Sequence, residues 1–285
     1  MATHLVWFRA DLRIHDNLAL AAACRDPDAE VLGLFIATPG QWRQHGMAPR
    51  QAAFMVSHLH SLQAALAEKG IPLQIEHAAD FHRSVALLAS ICRQRQVTHL
   101  FYNYQYEINE RQRDTAVEKT LAELTCQGFD DSVLLPPGSV LTGSREMYKV
   151  FTPFKNAFIR RLQEALPECV AAPKVRAGGP IAAASEVKID YPQTPFDSEL
   201  FAADEKSAIA RLRGFCQQKA ADYEQQRDLP AIEGDQPTVA VPGGGRGSHR
   251  ASACTVCGLS SRGRWMAKPD RYGSTSLSGA SFIVT

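Results

Sequence analysis

Five times within residues 1–141 the chain passes from a short apolar run toward a stretch of helical periodicity, and this alternation restricts the fold more than any other feature. The apolar runs are HLVWF at 4–8, AEVLGLFIAT at 29–38, PLQIEHA at 72–78, THLFYNYQY at 98–106 and DSVLLPPGSVL at 131–141. The helical stretches between them are LALAAAC after Asn17, then 49–70, 80–95 and EINERQRDTAVEKTLAELTCQG at 107–128. Apolar strands separated by helices of this length predict a doubly wound, five-stranded parallel sheet of the α/β class. The punctuation agrees. Asp16 or Asn17 and Asp80 stand where helix caps are needed, and Gly70 and Gly128 stand where helices stop.

The first strand runs into charge at Arg9, Asp11, Arg13 and Asp16. In a sheet of this kind ligands sit outside the carboxyl ends of the strands, so these side chains are placed to line that crevice. The glycine pattern GxGxxG of a dinucleotide-binding turn is absent here. The structural alternative is a ladder of ion pairs that fixes the first loop. At the end of the fourth strand Asn109 and Glu110 fall in the first turn of the next helix. An acidic residue there suits the helix dipole with no ligand at all.

Charge is nearly balanced overall, with 31 Lys/Arg and 30 Asp/Glu, but unevenly placed. Residues 235–285 hold six Lys/Arg against two Asp/Glu, so residues 1–234 carry net −3. A slightly acidic body argues against this part gripping nucleic-acid phosphates by itself. The seven cysteines are scattered and odd in number, which points to reduced thiols in the cytoplasm. Cys254-x-x-Cys257 is a single pair without a second, and no metal site is expected from it. Arg9, Asp11 and Arg13 break any signal-peptide core, and no run is apolar and long enough to cross a membrane.

Beyond the alternating region, Phe154, Phe158 and Leu162 share one face of a helix over 148–166. Residues 167–203, rich in Pro, Ala and Gly, read as a linker on the surface. Residues 204–228 form a clear amphipathic helix that includes Tyr223 near its end. Residues 235–285 are Gly/Ser/Arg-rich without hydrophobic periodicity and read as disordered.

Trp7-Phe8-Arg9-Ala10-Asp11-Leu12-Arg13, followed by Asp16-Asn17, resembles the opening signature of the DNA photolyase and cryptochrome family. Tyr148-x-Val150-Phe151-Thr152-Pro153-Phe154 resembles the same family at the same distance from its N-terminus. The resemblance implies a Rossmann-like antenna domain over 1–166, a linker over 167–203, and over 204–234 the start of an all-α FAD domain that is otherwise missing. It is strongest to bacterial folate-class enzymes that split cyclobutane pyrimidine dimers. In those enzymes excited reduced FAD donates an electron to a dimer flipped out of damaged DNA, and a 5,10-methenyltetrahydrofolate antenna feeds it energy. Asn109 and Glu110 match the pair that binds the antenna pterin, whose adjacent N–H donors suit a carboxylate and an amide. Tyr223 matches a tyrosine that touches the FAD phosphates. The resemblance implies a cytoplasmic monomer and places no catalytic residue in this chain. A cryptochrome-type photoreceptor without repair, and a stand-alone pterin- or nucleotide-binding module, are the alternatives.

The T-S-R-L-S phosphate loop that should follow Tyr223 is absent, and the chain departs from the family pattern after Glu233-Gly234. Shifted by one base, the codons for residues 235–243 can read T-S-R-L-S-P-Y-L. Residues 248–256 re-read as V-S-P-R-Q-C-L-H-R, and 273–285 as W-L-N-E-L-I-W-R-E-F-Y-R-H, which resembles the family's FAD- and DNA-binding helix. The expectation is a frameshift at Gly234/Asp235 and a second frame change between about 244 and 248. The tail is then out of frame, and the polypeptide has no repair activity of its own.

Overall fold

The computed structural model describes residues 1–164, 167–183, 186–199 and 201–218. Their order is β1 (Thr3–Phe8), α1 (Leu18–Ala23), β2 (Glu30–Ala37), α2 (Pro39–Gln44), α3 (Pro49–Glu68), β3 (Leu73–His77), α4 (Phe81–Gln94), β4 (His99–Asn103), α5 (Ile108–Thr120), β5 (Thr125–Phe129), α6 (Phe151–Glu164) and α7 (Glu205–Gln218). The strands form one parallel sheet in the order β3-β2-β1-β4-β5. The expected α/β, doubly wound, five-stranded architecture is present. Strand order reverses between β1 and β4, which is where such sheets open a crevice.

Strand residues alternate between two cores. Val6, Phe8, Val31, Phe35 and Phe101 pack with Ala19 and Leu20 of α1 and with Met55, Leu59, Leu62 and Leu66 of α3. Leu5, Trp7, Leu34, Ile36, Leu100 and Tyr102 pack on the other face with Val85, Leu88 and Cys92 of α4 and Val117 of α5. Burial on both faces is why β1, β2 and β4 read as nearly continuous apolar runs. Gly70 closes α3 at φ +75°, a conformation that an L side chain resists.

The fifth strand is not where its apolar run suggested. Helix α5 ends at Thr120 and β5 is TCQGF at 125–129; residues 131–141 hold no strand. β5 is an edge strand, half exposed, so its sequence carries little hydrophobic signal. At Gly128 the Tyr104 ring lies where a Cβ would stand, so a bare backbone is required there. Leu134, taken from the sequence as part of a strand, instead packs with Leu162 and Phe158.

The described residues fall into two compact units. The first holds the whole sheet together with residues from 170 to 205, and the second holds 132–169 and the rest of α7. The stretch 167–203 contains no helix or strand among its described residues, yet it is more than a surface crossing. Val187 and Ile189 are each 6 % exposed and join the first core. Arg176 donates to the carbonyls of Cys24, Asp26, Pro27 and Ala29, closing the α1–β2 turn. Tyr191 donates to the Met47 carbonyl at 2.7 Å and meets Trp42 edge to face. In the second unit α6 carries the expected apolar face: Leu162 is buried, and Phe154 and Phe158 lie against each other. No helix among the described residues is long and apolar enough to cross a membrane.

Candidate functional site

The crevice between β1 and β4 is filled by the protein itself. A helix N-terminus leaves backbone N–H groups without partners, and at this point of the fold they commonly face a phosphate. In α1 each one has an acceptor. The Asp131 carboxylate takes Leu18 N at 3.0 Å, Asn103 Oδ1 takes Ala19 N at 3.1 Å, and Asn17 Oδ1 takes Leu20 N at 3.0 Å. Ala21 N reaches the Asn17 carbonyl at 3.0 Å. No amide of this turn is left for a pyrophosphate.

The charges after β1 complete the seal, so the structural alternative holds for them. Arg9, Asp11, Arg13, Asp16 and Asn17 are all buried. Arg13 pairs with Asp131 and donates to the Asp16 carbonyl. Asp11 accepts from Asn103 Nδ2 at 2.6 Å and from the Arg9 backbone N–H at 2.8 Å. Burial pushes the Asp131 carboxyl up, against the pull of Arg13 beside it. Asp16 takes a left-handed φ of +51°. Its backbone N–H donates to the Val170 carbonyl at 2.7 Å, and its carboxylate accepts from Val170 N at 3.2 Å. Glu205 accepts from the amides of Ile14 and His15 at 3.1 and 2.9 Å.

A second charged cluster lies between β1, β4 and α5. Asp114 Oδ1 accepts from Arg9 Nη1 at 2.8 Å and from Arg113 Nη2 and Nε at 2.9 and 3.1 Å. Arg9 also donates to the Asn103 carbonyl. Both guanidiniums lie over the Trp7 ring, Arg9 at 4.8 Å and Arg113 at 4.7 Å, and Arg113 lies over Phe81 as well at 4.7 Å. Burial, with Arg9 nearby, lowers Arg113 to about 10, while Asp114 and Glu110 work against that shift.

The N-terminus of α5 contrasts with that of α1. Its cap residue Glu107 makes no side-chain cap, and the amides of Ile108, Asn109 and Glu110 have no acceptor among the described residues. Asn109 is exposed and Glu110 half-buried, so both predicted residues stand together in the first turn at the carboxyl end of the sheet. Tyr223, Cys254 and Cys257 lie outside the described residues. No group of three His, Cys, Asp or Glu side chains suited to a metal occurs among the described residues. Asn103, Arg113, Asp114 and Asp131 were not singled out from the sequence. The one available signal was the cluster of charge at Arg9, Asp11, Arg13 and Asp16 beside a buried strand, because charges buried there need hydrogen-bonding partners.

Comparison with known proteins supplies a relationship. The sequence pattern of the DNA photolyase family matches residues 4–173. Deoxyribodipyrimidine photo-lyase of Escherichia coli K12 is 60 % identical over 234 residues, which cover 82 % of this chain and 50 % of that protein. The Vibrio cholerae deoxyribodipyrimidine photo-lyase is 40 % identical over 239 residues, covering 81 % and 50 %. The chain thus spans about half the length of these relatives. Among solved structures, a class III photolyase from Agrobacterium tumefaciens superposes with a TM-score of 0.68 at 23 % identity, covering 84 % of this chain and 49 % of that one. A Synechocystis cryptochrome does so with a TM-score of 0.65 at 21 % identity, covering 80 % and 49 %. At these identities the superpositions establish the fold alone.

Proposed function

Because the chain belongs to the DNA photolyase family, we propose that it is the antenna-bearing part of a light-dependent enzyme that repairs cyclobutane pyrimidine dimers, with Asn109 and Glu110 receiving the pterin of 5,10-methenyltetrahydrofolate. The observation that carries this reading is the 60 % identity to a deoxyribodipyrimidine photo-lyase over 234 residues. The contrast between the two helix ends supports the position of the pterin. The α1 amides are all taken, whereas the α5 first turn keeps its own and adds one carboxylate and one amide side chain. The Glu110 carboxylate suits two adjacent N–H donors on a pterin edge, and the Asn109 amide suits the polar atom beside them.

The chemistry of repair in this proposal is that of FAD, which supplies light-driven, recoverable electron donation when bound. Tyr223, outside the described residues, is the proposed FAD-phosphate contact. Damaged DNA is the proposed partner of a monomeric, cytoplasmic enzyme. Its grip on DNA is assigned to the half of the relatives that this chain does not match, in keeping with the net −3 of residues 1–234.

Two experiments test this. Titration with 5,10-methenyltetrahydrofolate is expected to give one equivalent bound, and Glu110→Ala to weaken binding about tenfold or more. Unchanged affinity in that variant would remove the pterin site. The purified chain with FAD and light is expected to leave dimers intact. A chimera joining residues 1–234 to the C-terminal half of the Escherichia coli relative is expected to split them. A folded, flavin-loaded chimera without light-dependent repair would overturn the functional reading.

A further inference from the structure

We infer that Asp114 and Arg113 are positioning residues for the Asn109–Glu110 pair: they fix the first turns of α5 against the exits of β1 and β4 and so set where that pair is presented. The inference rests on the pterin reading of the pair given above.

Helix α5 has almost no apolar face. Of INERQRDTAVEKT only Arg113, Asp114 and Val117 are buried. A helix that is polar nearly all round does not hold its place by hydrophobic burial. Val117, with Leu121 just beyond the helix, seats the C-terminal half on the sheet. The N-terminal half has no apolar anchor and no side-chain cap, and Ile108 is 76 % exposed. What remains to hold it is the charged pair one turn on.

The spacing makes that pair specific to the site. Asn109 and Arg113, and likewise Glu110 and Asp114, are four residues apart and so lie one above the other on the helix. Three separate elements grip the lower pair. Arg9, just beyond β1, donates to Asp114; Trp7 of β1 and Phe81 of α4 sandwich the Arg113 guanidinium; and Gln105 of the β4–α5 loop accepts from Arg113 Nη2 at 2.9 Å. Any rotation or slide of α5 moves Arg113 off both rings and strains the shared Asp114 oxygen together. The cluster is also costly. Asp114 Oδ2 and Arg9 Nε are buried without partners among the described residues, in residues 3 % and 8 % exposed. Apolar side chains of the same volume would give a more stable seat with less directional definition.

The test uses the full chain and two readouts, amide hydrogen exchange without ligand and pterin titration followed by induced circular dichroism. Asp114→Asn and Arg113→Lys are expected to speed exchange at residues 111–114 about tenfold relative to 117–120. They are also expected to weaken 5,10-methenyltetrahydrofolate about tenfold and to change its induced signal. Val117→Ala is the control, because it loosens the same helix through a cavity without touching the charges. It is expected to leave the pterin affinity within about threefold of wild type. Wild-type exchange and affinity in both charge variants would overturn the inference. So would an equal loss of affinity in Val117→Ala at the same loss of thermal stability. If Asp114→Asn does not fold, Arg113→Lys, which keeps the charge but not the planar fork, decides alone. Wild-type affinity in Glu110→Ala would instead remove the pterin reading, and the ligand-free exchange would still decide whether the cluster anchors the helix.

Discussion

Asn103, the last residue of β4, accepts the backbone N–H of Ala19 at 3.1 Å and so joins the sheet to the first turn of α1. Its amide nitrogen donates to Asp11 and Asn17 at 2.6 and 2.9 Å. One buried side chain thus satisfies a helix amide and two side-chain acceptors. Asn103→Ala is expected to cost roughly 2–4 kcal/mol, because three buried groups lose a partner at once. Urea unfolding followed by circular dichroism measures it. A loss under about 1 kcal/mol would show that the network relaxes around the gap.

Arg13 and Asp131 form a pair buried to a few per cent exposure on both sides. Asp131→Asn leaves the guanidinium without its counter-charge and is expected to cost about 3 kcal/mol. Asp131→Leu combined with Arg13→Met removes both charges and is expected to cost less than the sum of the two single changes. A double-mutant cycle in urea reads the coupling, and additivity within about 0.5 kcal/mol would count against it.

His58 is buried on α3 against Phe54, and its Nε2 has no hydrogen-bond partner among the described residues. Burial, partly opposed by Asp204, lowers it from 6.5 to about 4. The unfolded chain therefore takes up a proton near its ordinary value, while the folded chain waits until about 4. Stability from this group is complete above the unfolded value and falls as pH drops between the two, by at most about 3 kcal/mol. Urea midpoints from about pH 7 to about pH 4.5 should decline, and His58→Leu should flatten that part of the decline. An unchanged slope in the variant would assign the decline to other groups.

Thiol reactivity should separate by burial. Cys24 is raised to about 11 and Cys92 to about 12, in each case chiefly by burial, whereas Cys169 is exposed. Iodoacetamide at about pH 8 is expected to modify Cys169 in the native chain and to reach Cys24 and Cys92 only after unfolding. Peptide mass mapping identifies each site. Native labelling of Cys92 at the rate of Cys169 would contradict the packing of α4.

Strands β1, β2 and β4 were legible because both of their faces are apolar, and a long apolar run needs no knowledge of its partners. β5 was not, because an edge strand with Gly128 under the Tyr104 ring announces itself only through tertiary contact. The same division runs through the site. Asn109 and Glu110 are neighbours in sequence and in space, so their shared position at a helix start could be read directly. Arg9 finds Asn103 and Asp114 at separations of 94 and 105 residues, and Arg13 finds Asp131 at 118. Sequence patterning shows that such charges need partners, but only the folded sheet selects them.

The long reach of those pairs sets a schedule for synthesis. Arg9 and Arg13 leave the ribosome well before the carboxylates that neutralise them, which follow more than a hundred residues later. β1 gains β2 early, and then waits for β4 before its second edge is covered. A nascent chain that stops short of Asp114 would bury both guanidiniums without their counter-ions, and one that stops between Asp114 and Asp131 would still bury that of Arg13, a state of high cost. The native closure of the sheet around both charges therefore needs a chain that has passed residue 131.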